Sequence, residues 1–129
     1  MTATTGSELT VVDSSGWLEY ITEDANAAGF APFIEREEPL LIPTIVLYEV
    51  FKALIRKRGK TDANRFVSQA FKHILLPLNE DLALASAEVS LEYRLAMADA
   101  IVYATALAYQ ATLVTGDTAF RDLPNVIIP

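Results

Sequence analysis

The chain has 129 residues, 52 % of them hydrophobic, and a formal net charge of -7. That length and apolar content fit one domain, residues 1–129, with a buried core, and they exclude a disordered chain. The acidic balance argues against broad, sequence-blind nucleic-acid binding but leaves room for a local basic patch, while the lack of cysteine and the single His73 exclude disulfides, thiolate zinc sites and multi-histidine metal sites.

The first eight residues, MTATTGSE, lack the basic and apolar regions of a secretory leader. Leu9–Val12 is a short apolar run that predicts a buried strand. Asp13-Ser14-Ser15-Gly16 follows with turn and capping residues, and Trp17, Leu18, Tyr20 and Ile21 predict a short helix. Asp24 is placed to cap another helix carrying Phe30, Phe33 and Ile34, with Gly29 and Pro32 expected to interrupt it. Leu40–Pro43 predicts a second strand. Thr44 then suits the N-cap of a long helix through Arg58, which Gly59 ends. Thr61 opens a further helix to about His73. Ile74–Leu76 predicts a strand closed by Pro77, and Asn79 caps a helix to about Arg94. An Ala-rich helix over Ala98–Gln110 leads into a β-branched strand, Thr112–Thr115, which Gly116 ends. Asp117–Phe120 suits one turn, and Val126–Ile128 a last edge strand.

Short strands alternate with helices, and no two strands are joined by a two-residue hairpin turn. The expected fold class is therefore α/β, with a central, mainly parallel β-sheet flanked by α-helices. Leu95–Val114 has the length of a membrane span. Asp99 and Gln110 count against that reading, because a buried acid is costly in lipid. The expectation is a soluble cytoplasmic protein with no membrane partner.

Four acids stand out. Asp13 closes the first strand and Asp117 a later one, and in open parallel sheets that edge is where ligands bind. Both also suit ordinary local roles, Asp13 as a helix cap and Asp117 in turn chemistry. Glu49 shares a helix face with Ile45, Val46 and Ala53, which points to partial burial, although a solvated boundary position has the same pattern. Asp99 is the only charged residue between Arg94 and Asp117. A carboxylate in so apolar a run needs a partner, a proton or a metal ion, and it also suits the first turn of a helix. If the four converge, something must neutralise them. Hard divalent cations such as Mg²⁺ or Mn²⁺ prefer carboxylate oxygens, and such a site suits phosphodiester hydrolysis.

The motifs, taken in order, carry a resemblance. They are Val12-Asp13-Ser14-Ser15, Glu49 in Leu47-Tyr48-Glu49-Val50, and Ala98-Asp99-Ala100-Ile101 ahead of the Ala-rich helix. Leu113-Val114-Thr115-Gly116-Asp117 with Phe120, and then Leu123-Pro124-Asn125-Val126, complete the series. Over almost the whole chain this resembles a PIN domain, and specifically the VapC-type toxin ribonucleases of toxin–antitoxin systems. The resemblance implies a PIN-like fold and an Mg²⁺- or Mn²⁺-dependent endoribonuclease. It places the acidic quartet, as catalytic residues and metal ligands, on Asp13, Glu49, Asp99 and Asp117. Ser14 and Thr115 match supporting hydroxyls, and Thr115 equally suits an ordinary strand position. Implied partners are an RNA substrate, a small antitoxin protein and a second copy in a homodimer.

Seven of the ten Lys and Arg residues lie between Lys52 and Lys72. Of these, Lys52, Arg56, Lys57 and Arg58 are the candidate RNA-binding residues. Arg56, Lys57 and Arg58 also suit a helix C-terminus, where the dipole favours cations. Trp17, Tyr20, Phe30, Phe33 and Phe51 are expected in the core; the resemblance offers the alternative that some of them line the groove in which VapC-like proteins hold an antitoxin peptide. His73 is expected to be structural. Two other functions fit the same residues: a stand-alone PIN nuclease in RNA processing, and a non-catalytic RNA- or protein-binding domain. Four acids on converging elements weigh against the latter.

Overall fold

The computed structural model describes residues 9–129. The MTATTGSE segment, on which the expectation about a leader rests, lies outside the described residues. β1 (Thr10–Val12) is buried throughout, and Asp13 caps α1 (Ser14–Ile21) through a hydrogen bond from the Gly16 amide to its Oδ1. The cap answers one of the amides that a helix start leaves unpaired. α2 (Ala27–Ile34) starts after Asn26 rather than at Asp24, and it runs through both residues expected to interrupt it. Pro32 forfeits one helical hydrogen bond, but it is exposed, where water can answer the freed carbonyl. Phe30, with no exposed surface, anchors the helix from its other side.

β2 (Leu41–Pro43) runs into α3 (Thr44–Arg58) with no residue between them. Pro43, not Thr44, holds the cap position, and no side chain caps this helix. Gly59, at φ 94°, ends α3 and opens α4 (Lys60–Ala70), so α4 starts before Thr61. That backbone conformation suits glycine because it has no Cβ. α4 stops short of His73, whose Nδ1 accepts the Leu40 amide at 2.9 Å. The bond holds His73 in the turn before β3 (Ile74–Leu76), and the ring packs edge-on against Trp17. The structural role expected of His73 is what the structure contains. α5 (Glu80–Tyr93) starts as expected, with Asn79 Oδ1 accepting the Leu82 amide at 2.9 Å. α6 (Met97–Ala108), β4 (Thr112–Val114), a single 3-10 turn (Thr118–Phe120) and β5 (Val126–Ile127) complete the chain.

Among the described residues, five strands form one sheet in the order β3-β2-β1-β4-β5, and every pairing is parallel. The chain builds outward from β1 through β2 to β3, then crosses to β4 and β5 on the other flank. The order thus reverses between β1 and β4, the kind of crevice where open parallel sheets bind ligands. The core joins β1, β2 and β4 to buried faces of all six helices, with Phe30, Leu54, Tyr103 and Phe120 among its largest members. Trp17 is buried too, while Tyr20, Phe33 and Phe51 pack partly buried against that core. Leu95–Val114 divides between α6 and β4. Among the described residues, no helix is long and apolar enough to cross a membrane.

Candidate active site

The register of β1 on β4 pairs Val12 with Val114, and the Asp13 amide donates to the Val114 carbonyl at 3.1 Å. Asp13 therefore leaves β1 beside Thr115 as the chain leaves β4. Thr115 Oγ1 donates to Asp13 Oδ2 at 2.7 Å and accepts the Asp117 amide at 2.9 Å. Ser15 Oγ donates to Asp13 Oδ1 at 2.6 Å and accepts the Gly116 amide at 3.0 Å. Each carboxylate oxygen of Asp13 thus meets a hydroxyl whose own lone pair is held by a backbone amide of the loop after β4. The amides fix the direction of both hydroxyl protons, so Asp13 and the Asp117 loop are positioned together.

The other acids come from separate elements. Asp117 Oδ1 accepts the Ala119 amide at 2.9 Å and caps the 3-10 turn. Glu49 lies in the second turn of α3, where its Oε1 accepts Ser14 Oγ at 2.9 Å. Asp99 lies in the first turn of α6, whose cap position, Ala96, offers no side-chain bond.

They lie within electrostatic reach of one another. Burial pushes the Asp13 carboxyl above its usual range, and repulsion from Asp117 adds to this; the bonds from Ser15, Thr115 and Gly16 pull it back. Asp99 is pushed up to about 6, first by burial, then by Asp117, Asp13 and Glu49 in turn. The other three acids thus all act on the carboxyl of the fourth.

Among the described residues, no three His, Cys, Asp or Glu side chains already form a metal cage. Four like charges without a counter-ion repel, and both Asp13 oxygens are engaged by hydroxyls. The donor chemistry nevertheless fits one class of ion. Every group at the site offers oxygen, and His73 is committed between β2 and β3. An all-oxygen, strongly negative set suits Mg²⁺ or Mn²⁺ over zinc or copper.

A family model described as PIN domain matches residues 10–126. The chain belongs to the PIN domain family. It is similar in fold to a toxin–antitoxin complex from Klebsiella pneumoniae, with TM-score 0.80 and 21 % identity over 93 % of this chain and 97 % of that one. A sarcin–ricin loop cleaving toxin of Mycobacterium tuberculosis gives TM-score 0.73 and 18 % identity over 92 % and 98 %. PAE2754 from Pyrobaculum aerophilum gives 0.64 and 24 % over 93 % and 90 %. No match emerges among curated proteins.

In this PIN domain the structure brings together all four acids singled out from the sequence. Ser14 and Thr115 both bond to them, Ser14 to Glu49 and Thr115 to Asp13. Ser15, outside the candidate residues of the sequence, holds Asp13 as closely as Thr115 does. Its only sequence signal is a hydroxyl two residues after an acid, a common turn pattern. The basic residues spread along α3. Lys52 lies one turn beyond Glu49, while Arg56, Lys57 and Arg58 occupy the last turn. Arg58 is partly engaged, pairing with Asp62 at 3.8 Å and donating to the Thr22 carbonyl at 3.5 Å.

Proposed function

We propose that this PIN domain is an Mg²⁺- or Mn²⁺-dependent endoribonuclease, the toxin of a toxin–antitoxin pair, acting as a homodimer in the cytoplasm. The observation that carries the nuclease reading is geometric: at the β1–β4 switch point Thr115 joins the Asp13 carboxylate to the Asp117 amide, and Ser14, next to Asp13, holds Glu49, with Asp99 in electrostatic reach of all three. On this reading those four carboxylates hold the metal. A bound divalent ion lowers the pKa of water and offsets charge building on the phosphate. The protein's part is positioning. Ser15 and Thr115 orient Asp13, and Ser14 orients Glu49. Lys52, Arg56, Lys57 and Arg58 supply positive potential along α3 to draw the RNA backbone toward an otherwise acidic molecule.

Similarity to the Klebsiella toxin–antitoxin complex supports an antitoxin partner. So does a groove of about 740 Å³, separate from the acids, lined by residues including Trp17, Ile21, Ile34, Arg58, Arg65 and Phe66. The homodimer is supported by apolar side chains left in solvent on α5 and at the start of α6: Leu84, Leu91 and Met97. The test of function is cleavage of RNA with Mg²⁺ or Mn²⁺, its loss in EDTA, and its loss in Asp13→Asn with unchanged far-UV circular dichroism. Cleavage that persists in excess EDTA refutes the metal mechanism. Growth arrest on expression, relieved by a small protein encoded beside the gene, tests the toxin reading; a domain that cleaves RNA without arresting growth is a processing nuclease instead.

A further inference from the structure

Tyr48 immediately precedes Glu49 on α3, and 57 % of its surface is exposed. A single exposed aromatic needs no explanation by itself; the surroundings of this one give it chemistry. Lys52 Nζ donates to Tyr48 Oη at 3.4 Å and sits 5.5 Å from the ring centroid. Lys52 is four residues from Tyr48 and three from Glu49, so it neighbours both on the helix surface. β2 passes into α3 without a loop, so the first turns of α3 stand at the sheet edge where Asp13 and Asp117 emerge. Helical side chains lean toward the N-terminus, which inclines the Tyr48 ring toward that edge. An exposed aromatic, and a cation bonded to it that lies one helical turn from Glu49, therefore stand on the early turns of the helix that carries one of the four acids.

Resting on the nuclease reading above, we infer that Tyr48 and Lys52 form a platform for single-stranded RNA, on which a base flanking the scissile phosphate stacks while Lys52 meets the adjoining phosphate. Base stacking on an aromatic face is tolerant of sequence, and it requires a base free of its helix. A strand approaching four carboxylates also meets repulsion, which a cation one helical turn from Glu49 offsets locally. The hydrogen bond from Lys52 to Tyr48 pre-orients the pair, so less side-chain freedom is lost on binding. Tyr48 is a positioning residue here.

The test uses the full chain and single-stranded RNA 12-mers carrying 2-aminopurine at successive positions, whose fluorescence falls when the base stacks. Binding is read first in EDTA, where metal-dependent cleavage does not interfere. Tyr48→Ala should lose quenching at one position and weaken binding about tenfold. Tyr48→Phe and Tyr48→Trp should keep the quenching, because a ring remains, and weaken binding much less than Tyr48→Ala, because only the bond that pre-orients Lys52 is lost. In cleavage assays with Mn²⁺, Tyr48→Ala should raise KM more than it lowers kcat. The platform is overturned if Tyr48→Ala binds and quenches like wild type, or if Tyr48→Phe is as impaired as Tyr48→Ala. It is equally overturned if Tyr48→Ala changes the mass in light scattering with RNA binding unchanged, since the ring then faces another protein chain. Wild type that quenches through Tyr48 but cleaves nothing refutes the nuclease reading and leaves the platform standing; wild type that cleaves with a KM insensitive to Tyr48→Ala does the reverse.

Discussion

Asp99→Asn should stabilise the metal-free protein at neutral pH. The carboxyl of Asp99 is pushed up from 3.8 to about 6, with burial as the first cause and three neighbouring acids adding to it. An acid whose folded pKa is raised binds more protons folded than unfolded between those two values. Its contribution to stability is therefore present in full below pH about 4, is lost as pH rises through about 6, and leaves a penalty at neutral pH. A rise of that size corresponds to about 3 kcal/mol at most. Asp99 is only half-buried, so solvent screening brings this to about 1.5 kcal/mol. Asn removes the charge and keeps the shape, but it also loses a first-turn carboxylate at the start of α6, which costs about 0.5 kcal/mol. The net gain is about 1 kcal/mol, or about 4 °C in Tm for a domain of this size. The assay is a set of thermal melts of both proteins in EDTA across pH 4 to 8, repeated with Mg²⁺ or Mn²⁺. The advantage of Asp99→Asn should shrink as pH falls. Added metal should raise the wild-type Tm and move the variant much less, because a ligand that binds only the folded state stabilises it. A variant that melts below wild type in EDTA at neutral pH would falsify the repulsion argument. A metal-induced shift equal to that of wild type removes Asp99 from the metal site.

Thr115→Val takes the donor from Asp13 Oδ2 and leaves the Asp117 amide without its acceptor. It should cost about 2 kcal/mol in denaturant melts at neutral pH and less in acid, where Asp13 is protonated; equal cost at both refutes a bond to the ionised form. Gly16→Ala places a Cβ 2.7 Å from Val12 Cγ1 and 2.8 Å from Phe30 Cε1, two side chains with no exposed surface. It should cost about 1–3 kcal/mol by overpacking, and an unchanged Tm would show that Phe30 moves aside freely. Replacing Arg56 and Lys57 by Glu, both exposed in the last turn of α3, should weaken RNA binding and flatten its dependence on salt with little change in metal affinity. If the affinity and the salt slope are both unmoved, these cations serve only the helix end.

What was legible in the sequence was what local rules decide. The three-residue strands are apolar runs bounded by turn residues, and Asn79 caps α5 through a bond that spans three residues. What was not legible depends on contacts far along the chain. The turn after α4 is tied to the sheet by the Leu40 amide, which donates to His73 from 33 residues away. The continuity of α2 past Pro32 follows from the burial of Phe30 in the core, a tertiary fact. The hydroxyl of Ser15 gains its role only because the loop after β4 brings the Gly116 amide to it, 101 residues away. The parallel register of β1 on β4 creates that meeting, and no window of sequence contains it. The orienting bond from Ser14 to Glu49 was hidden in the same way, across 35 residues.

The local and the functional readings of the acids turn out not to compete. Asp13 caps α1, Asp117 caps the 3-10 turn, and Asp99 sits in the first turn of α6. Each is an ordinary helix-start acid, and all three border the same crevice. The coincidence has a physical basis. In a parallel α/β sheet the strands' carboxyl ends feed helix N-termini, as β1 feeds α1 and β4 the 3-10 turn, whereas α6 follows α5; all of these termini present unpaired amides and the positive end of the dipole. A cluster of carboxylates is therefore least costly along that edge, because part of its repulsion is offset by the backbone before any ion binds. Glu49 is the exception. It lies a turn inside α3, and its oxygen is held instead by Ser14, the first residue of α1. Among the helix-start acids, Asp13 and Asp117 each accept a backbone amide directly, whereas the start of α6 gives Asp99 only the diffuse field of its first turn. The acid with the weakest local compensation is the one whose carboxyl rises to about 6.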